Sequence, residues 1–387
     1  MKYRELGRTG KRVSVLGFGC MRLPILGGSE TPYDTLNPEK VIDESKAEKM
    51  IQYAFENGIN YFDTAYRYHT GQSEVFLGKT LRSIRNKVLL ATKLPVWMVK
   101  SGGDFDRLLD EQLARLNTDY LDFYLLHGLT WKSWESVRDL GALDFLERAR
   151  ADGRIRHSGF SFHDRAQVFP PIVDSYPWDV CLIQYNYLDV DFQAGRAGLE
   201  YASGKGIGVI VMEPLRGGKL ANRVPPAVRK EWEKAPVSRS PAHWAFLWVW
   251  DHPQVAMALS GMSIMDQLKE NIRFASQAEP GMLEEEERDI IRRVRKIYNL
   301  RTKVDCTGCG YCMPCPNGVN IPWNLSLYND SYMFEEKQHC VMVYNRVLLP
   351  EQRASACVRC GQCETLCPQN IPIMEELENV DRELGEN

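Results

Sequence analysis

Two groups of closely spaced cysteines lie near the end of the chain, and their thiols are strong candidates for chemistry. The first group lies in "DCTGCGYCMPCPNGV" (305–319) and the second in "ACVRCGQCETLCPQNI" (356–371). The second has the spacing C-x2-C-x2-C-x3-C-P, which is typical of loops that bind a 4Fe–4S cluster. Structural zinc sites usually combine two separated C-x2-C pairs, and disulfides are rare in a reducing compartment. The two groups therefore predict two 4Fe–4S clusters, which carry single electrons.

In such loops three cysteines bind one cluster, and the cysteine before the proline binds the neighbouring cluster. The expected ligands of the first cluster are Cys306, Cys309, Cys312 and Cys367. The expected ligands of the second cluster are Cys357, Cys360, Cys363 and Cys315. The first group departs from the pattern, because only two residues separate its last two cysteines. Cys340 lies alone between the groups, and we predict that it packs in a core.

A second set of polar residues follows apolar runs earlier in the chain. Asp63 ends "INYFD", Tyr68 follows five residues later, Lys93 ends "LLATK", and His127 ends "LDFYLLH". A lysine ammonium lowers the pKa of a neighbouring tyrosine, an aspartate keeps that lysine charged, and a neutral histidine can orient a carbonyl oxygen. The set therefore predicts a tyrosine that donates a proton to a carbonyl group as hydride arrives. The alternative is an internal ion pair with two ordinary loop residues.

The elements that must position these residues are eight short apolar runs, which alternate with amphipathic helical stretches. The runs are "VLGFG" (15–19), "INYFD" (59–63), "VLLAT" (88–92), "LDFYLLH" (121–127), "HSGFS" (157–161), "VCLIQYN" (180–186), "IGVIVME" (207–213) and "VAMALSG" (255–261). Doubly buried strands that alternate with helices indicate an α/β fold with a parallel sheet, and eight of them favour a closed (β/α)8 TIM barrel. An open Rossmann sheet is disfavoured, because no G-x-G-x-x-G follows the first strand.

The cysteine-rich tail predicts a second domain after the barrel. We expect the barrel at residues 1–295 and a small, mainly α-helical ferredoxin domain at residues 300–387. The segment between the cysteine groups, "IPWNLSLYNDSYMFEEKQHCVMVYNRVLLPEQRAS", has a mostly helical pattern. It resembles the helical two-cluster ferredoxin domains of respiratory reductases.

Composition narrows the classes of partner. The chain has 387 residues, 44% hydrophobic residues and a formal net charge of −3, which gives no support to nucleic-acid or membrane-surface binding. We find no apolar run that could span a membrane and no export signal at the N-terminus, so we expect a cytoplasmic protein.

The motifs around the second set of residues resemble those of the aldo-keto reductases, over roughly residues 1–290. The similar motifs are "LGFG", "GINYFDTAYRY…GQSEVFLGK", "LLATK", "DYLDFYLLH" and "GFSFHD". The resemblance implies that Tyr68 is the general acid, that Lys93 and Asp63 tune it, and that His127 orients the carbonyl. The whole chain is similar to the subgroup that has a C-terminal iron–sulfur domain.

The resemblance also implies a dinucleotide pocket, with some departures from the family pattern. The expected cofactor-binding residues are Ser161, Gln184, Met212, Glu213, Leu215, Arg216, Gly217, Gly261, Gln267, Glu270 and Asn271. Phe162 replaces the usual carboxamide-binding asparagine, and Met212 lies where an aromatic residue normally stacks on the nicotinamide. Gly261 and Gln267 replace basic residues that would bind a 2′-phosphate, which favours NADH over NADPH. A flavin is the alternative cofactor, because it converts two-electron into one-electron transfer.

These features predict an iron–sulfur oxidoreductase that reduces a small-molecule carbonyl compound or an activated double bond. Its electrons come from NAD(P)H, from the clusters, or from both. One alternative is an electron-transfer module that uses a flavin or a redox partner protein, with the barrel as a scaffold. Another is an NAD(P)H carbonyl reductase whose clusters are structural or act as sensors.

Overall fold

The computed structural model describes residues 1–28, 35, 37, 39–306, 308, 310, 312–367 and 369–386. The chain folds into two compact units. The first unit contains Met1–Gly217 and Ala245–Met282, and the second contains Gly218–Trp244 and Leu283–Asn387. The second unit thus includes a segment that lies, along the chain, between two strands of the first unit.

The first unit is built on ten strands within the described residues. They are β1 (Tyr3–Glu5), β2 (Arg12–Ser14), β3 (Leu16–Gly19), β4 (Tyr61–Asp63), β5 (Leu89–Leu94), β6 (Leu121–Leu129), β7 (Ile155–Phe162), β8 (Val180–Gln184), β9 (Gly208–Met212) and β10 (Val255–Ser260). β1 and β2 form an antiparallel hairpin that precedes the barrel. The other eight form a closed parallel barrel in the order β10-β3-β4-β5-β6-β7-β8-β9. The predicted TIM barrel is therefore confirmed.

Buried apolar side chains from the strands fill the barrel interior. Tyr61, Phe123 and Ile210 belong to one buried cluster. Leu6 and Val13 of the N-terminal hairpin region belong to the same cluster. All residues of β10 are buried, as expected for a parallel strand that is covered on both faces.

Sixteen α-helices lie in the described residues. They are α1 (Glu44–Glu56), α2 (Gln72–Thr80), α3 (Gly103–Arg115), α4 (Trp131–Asp139), α5 (Ala142–Ala151), α6 (Phe169–Asp174), α7 (Gly195–Gly204), α8 (Lys219–Asn222), α9 (Pro226–Trp232), α10 (Pro241–Trp250), α11 (Met265–Ala275), α12 (Glu285–Asn299), α13 (Ile321–Met333), α14 (Lys337–Arg346), α15 (Gln362–Thr365) and α16 (Ile373–Leu384). α3 is an example of a surface helix, because Phe105, Leu108, Leu109 and Leu113 form one buried stripe at helical spacing.

The second unit is mainly α-helical, as the sequence predicts. It contains α8, α9 and α12 to α16, and α13 packs against α14 and α16. No helix in the described part of the chain is long and apolar enough to cross a membrane.

Candidate active site and metal centres

The four residues of the predicted catalytic set converge at the carboxyl ends of neighbouring strands. Asp63 ends β4, Lys93 is the last residue but one of β5, and His127 lies near the end of β6. The Lys93 ammonium donates to Asp63 Oδ1 at 2.6 Å, to the Thr64 carbonyl at 2.8 Å and to the Tyr68 hydroxyl at 3.4 Å. All three donors of the ammonium are therefore used.

The direction of the Lys93–Tyr68 contact matters for chemistry. Because Lys93 donates to the hydroxyl oxygen of Tyr68, the proton of Tyr68 points elsewhere. No acceptor for that proton occurs among the residues that the structure describes. The hydroxyl of Tyr68 is therefore available to donate to a bound molecule.

The loop that carries Tyr68 has an unusual backbone. His69 and Thr70 both adopt left-handed conformations, with φ of 51° and 55°. The Leu23 amide donates to His69 Nε2 at 3.0 Å, which fixes this turn against the segment after β3. Burial lowers the pKa of His69 to about 4, so its ring is a neutral acceptor at pH 7. Two left-handed residues beside a candidate catalytic residue are a form of local strain that occurs at functional sites.

Burial, more than the lysine, sets the pKa of Tyr68. Burial raises it, the Lys93 ammonium lowers it, and Asp63 raises it; the net pKa lies above that of a free tyrosine. The expected lowering by lysine is thus present but smaller than the cost of burying a phenolate. Burial lowers the pKa of Lys93, but Asp63 and Tyr68 outweigh this effect, so its pKa is raised and the amine stays charged.

His127 lies between Tyr68 and Trp97. The ring centroids of His127 and Tyr68 are 6.1 Å apart, and those of His127 and Trp97 are 5.2 Å apart. Burial, followed by the charge of Lys93, holds the pKa of His127 well below its ordinary value. Its buried Nδ1 has no hydrogen-bond partner among the described residues. His127 is therefore a neutral imidazole that can interact with a polar ligand.

The residues expected to hold a nicotinamide carboxamide lie at the ends of two adjacent strands. Ser161, near the end of β7, is buried and accepts a hydrogen bond from the Gly128 amide at 2.7 Å. Gln184, at the end of β8, donates to Asp189 Oδ2 at 3.1 Å. Met212 ends β9 and is partly buried.

The loop after β9 has the backbone expected of a site that approaches a ligand closely. Glu213 is exposed and has φ of 55°, Leu215 is partly buried, and Arg216 has φ of 47°. Gly217 follows with φ of 67°. Arg216 Nε lies 3.3 Å from Asp189 Oδ2, so its charge already has a carboxylate neighbour.

Arg22 is a candidate cofactor-binding residue that sequence reasoning missed. Its Nη1 donates to the Gly217 carbonyl at 2.8 Å. A Cβ built on Gly261 would lie only 3.3 Å from Arg22 Cβ, so the aliphatic part of Arg22 occupies the space beside Gly261. The arginine comes from the segment after β3, far from both glycines in the chain. A cation therefore lies between the loops that follow β9 and β10.

The residues expected on the adenosine side lie around the start of α11. Gln267 Oε1 accepts from the Ser263 amide at 3.0 Å. Asn271 is buried and donates to Ser260 Oγ at 3.2 Å. Glu270 is partly exposed.

The predicted cluster ligands line two cavities of the second unit. One cavity is lined by the cysteines Cys312, Cys315, Cys357, Cys360 and Cys363. The other is lined by the cysteines Cys306, Cys312 and Cys367, so Cys312 lines both. Cys309 lies outside the described residues. None of the described cysteines forms a disulfide. The two sets contain every described ligand that the cross-binding pattern assigns to each cluster.

Two buried asparagines of α13 hold the chain just before each cysteine group. Asn329 accepts from the amides of Lys303 and Val304, each at 2.9 Å, and donates to the Val304 carbonyl at 2.8 Å. Asn324 accepts from the Ala354 amide at 3.0 Å and donates to the Gln352 carbonyl at 2.8 Å. One helix thus positions the start of both loops.

Backbone amides also point at sulfur in the same way in both loops. Gly308 N lies 3.4 Å from Cys306 Sγ, and Arg359 N lies 3.4 Å from Cys357 Sγ. Such contacts suit thiolate ligands. Cys340 is 1% exposed and lines neither cavity, as expected for a packed cysteine.

Comparison with known proteins is consistent with this geometry. Residues 16–280 match the model of the Aldo/keto reductase family, and residues 305–371 match that of the 4Fe-4S dicluster domain. The barrel and its strand-end residues define an oxidoreductase of aldo-keto reductase type. The chain belongs to the aldo/keto reductase family and carries a C-terminal 4Fe-4S dicluster domain.

Individual relatives cover most of the barrel. The chain is 27% identical over 328 residues to L-galactose dehydrogenase of Arabidopsis thaliana, with 78% of this chain and 96% of that protein covered. It is 27% identical over 334 residues to Protein tas of Escherichia coli, with 70% of this chain and 92% of that protein covered. The solved structure of aldo-keto reductase AKR11C1 from Bacillus halodurans (holo form) is similar with a TM-score of 0.62 and 30% identity, and 76% and 96% of the two chains are covered.

Proposed function

We propose that the protein reduces a carbonyl group or an activated double bond of a small molecule, with Tyr68 as the general acid. The electrons come from NAD(P)H, from the 4Fe–4S clusters, or from both. The observation that supports this best is the contact of Lys93 Nζ with both Asp63 Oδ1, at 2.6 Å, and the Tyr68 hydroxyl, at 3.4 Å. A purely structural ion pair between Asp63 and Lys93 gives no reason for a tyrosine whose proton is directed away from both.

The protein's own part in the reaction is to hold and deliver one proton. The raised pKa keeps Tyr68 protonated at neutral pH, so it has a proton to give. Lys93 stabilises the phenolate that remains after transfer, and Asp63 keeps Lys93 charged. The neutral His127 orients the carbonyl oxygen toward the Tyr68 hydroxyl. A bound reduced nicotinamide supplies the hydride.

The residues around the strand ends fit a dinucleotide. Ser161 and Gln184 would hold the carboxamide of such a cofactor, and Met212 and Glu213 would lie on its nicotinamide side. Arg22 and the left-handed backbone of Arg216 and Gly217 suit the pyrophosphate. The Arg22 guanidinium supplies a positive charge beside Gly217, and Gly217 has no side chain that would keep a phosphate away from the backbone. Glu270 and Asn271 would hold its adenosine side. Gly261 and Gln267 carry no charge, which favours NADH.

The second unit fits two clusters, because each of its two cavities is lined by all the described thiols of one expected ligand set, with Cys312 lining both cavities, and none of the described cysteines forms a disulfide. We assign Cys306, Cys309, Cys312 and Cys367 to one cluster and Cys357, Cys360, Cys363 and Cys315 to the other. The clusters supply single-electron transfer. We propose that residues 1–295 and 300–387 are the two functional domains. Where NAD(P)H is not the electron donor, we propose that a redox protein supplies the electrons.

The experiment that tests this function compares Tyr68→Phe with Tyr66→Phe. Tyr66 is a matched control, because its hydroxyl donates to Glu111 and not to any of the four proposed catalytic residues. Anaerobic turnover of a panel of aldehydes and ketones is measured with NADH or NADPH. We expect Tyr68→Phe to lose at least 100-fold in kcat/KM, in the range attributed to general acid catalysis. Tyr66→Phe keeps its rate. Equal turnover in the two variants excludes Tyr68 as the acid.

A further inference from the structure

An arginine and a tryptophan lie next to the proposed catalytic residues. Trp97 is 43% exposed, and its ring packs against His127 with a centroid distance of 5.2 Å. Arg67 immediately precedes Tyr68, and its guanidinium carbon lies 5.2 Å from the centroid of the Trp97 ring. The Arg67 guanidinium is therefore held over the Trp97 ring, and the same ring contacts His127, the residue proposed to orient the carbonyl.

The nearby carboxylates are bound by other residues. Arg115 makes ion pairs with Glu111 and with Glu74, at 3.3 Å for Glu74. Asp63 is bound by Lys93. Within the part of the chain that the structure describes, no carboxylate forms an ion pair with Arg67. Arg67 is exposed, and among these described residues no carboxylate balances its charge.

We propose that Arg67 and Trp97 form a subsite for a carboxylate of the substrate, so that the substrate class is a carbonyl compound with a carboxylate group. This inference rests on the proposed function and names its substrate class. The planar guanidinium binds a carboxylate through two parallel hydrogen bonds, and it remains charged at every physiological pH. The exposed part of the Trp97 side chain packs against the apolar or aromatic part of the substrate, between its carboxylate and its carbonyl group.

The size of the expected effect follows from the interaction. Removal of the charged donor of a hydrogen bond to a carboxylate weakens binding by about 10- to 100-fold. A neutral substrate of the same shape does not make this bond. Removal of Arg67 should therefore reduce the selectivity for the carboxylate substrate over its neutral analogue by about 10- to 100-fold.

The experiment uses the full-length protein, loaded with its clusters under anaerobic conditions. The substrate pair is 4-carboxybenzaldehyde and benzaldehyde, and the variants are Arg67→Gln and Arg82→Gln. Arg82 is an exposed arginine just after α2 and serves as a control for the loss of one positive charge. The ratio of kcat/KM values for the two aldehydes should fall about 10- to 100-fold in Arg67→Gln and stay unchanged in Arg82→Gln. An equal loss for both aldehydes, or an equal change in both variants, overturns the subsite.

Binding of an unreactive ligand separates this inference from the proposed function. Calorimetry measures the affinity for benzoate and benzamide in the same proteins. The subsite requires that benzoate bind at least about 10-fold more weakly to Arg67→Gln than to the wild type, with a smaller change for benzamide. Benzoate affinity that is the same in both proteins overturns the subsite whatever the turnover. If neither aldehyde is reduced, the benzoate result alone decides on Arg67, and the proposed function is decided separately by the comparison of Tyr68→Phe with Tyr66→Phe.

Discussion

The buried ion pair between Asp63 and Lys93 supports both the fold and the proposed chemistry, and Asp63→Asn should separate the two. The side chains of Lys93 and Asp63 are 1% and 4% exposed, and their charged atoms lie 2.6 Å apart. Removal of one partner from such a pair costs about 3–5 kcal/mol, because the other charge stays buried without compensation. Without Asp63, burial lowers the pKa of Lys93, so the amine loses its proton more easily. We therefore expect a less stable barrel and an inactive site.

The matched double variant Asp63→Asn with Lys93→Met removes both charges. We expect it to recover at least half of the lost stability, because no unpaired charge remains, but none of the turnover. Hydrogen exchange of amides in β4 and β5, followed by mass spectrometry, reports the opening free energy of this part of the barrel. A loss below about 1 kcal/mol in the single variant, or a double variant less stable than the single, would refute the reasoning.

Three further predictions concern the cofactor, the clusters and pH. Arg22→Gln should weaken NADH and NADPH binding equally, by about 10-fold, as measured by calorimetry, if Arg22 binds the pyrophosphate; a loss for NADPH alone would place the guanidinium at the 2′-phosphate instead. Asn329→Ala should release the chain before Cys306 and lower the iron content by about four atoms per chain, whereas Cys340→Ala should leave the iron content unchanged; equal iron in both variants would contradict this role. The kcat/KM for carbonyl reduction should be constant from about pH 6.5 to 9, because the pKa of His127 is lowered below this range and the pKa of Tyr68 is raised above it. The acid is then lost only as the pH rises through the raised pKa of Tyr68. A change of kcat/KM between pH 7 and 8 would contradict these directions.

Much of the barrel could be predicted from the sequence, because a strand buried on both faces appears as a short apolar run. Each of the eight runs overlaps one strand of the barrel, and the ends of run and strand differ by at most two residues. The positions of Asp63, Lys93 and His127 followed from the same pattern, since successive parallel strands end at the same rim. The arrangement of thiols around two cavities agrees with the cysteine spacing, which limits how far apart the ligands of one loop can lie.

The remaining features depend on contacts between distant parts of the chain. Arg22 reaches Gly217 and Gly261 only because the barrel closes β3 against β10, and no local pattern marks that arginine. Asn324 and Asn329 look like ordinary polar residues of a helix until their buried hydrogen bonds are seen. The net pKa of Tyr68 depends on how deeply the ring is buried, which residue types alone do not give.

The most direct test of the proposed function is an anaerobic absorption titration of the full-length protein with NADH, before and after addition of 4-carboxybenzaldehyde. We predict a brown protein with the broad absorption of 4Fe–4S clusters, and loss of the NADH absorption in proportion to the aldehyde that is reduced. A bleaching of the cluster absorption by NADH alone would add that the clusters accept electrons from the nucleotide. A colourless protein that contains zinc would contradict the cluster assignment. A brown protein that reduces no carbonyl compound and no activated double bond with NADH, with NADPH or with a reduced redox partner protein would contradict the proposed function.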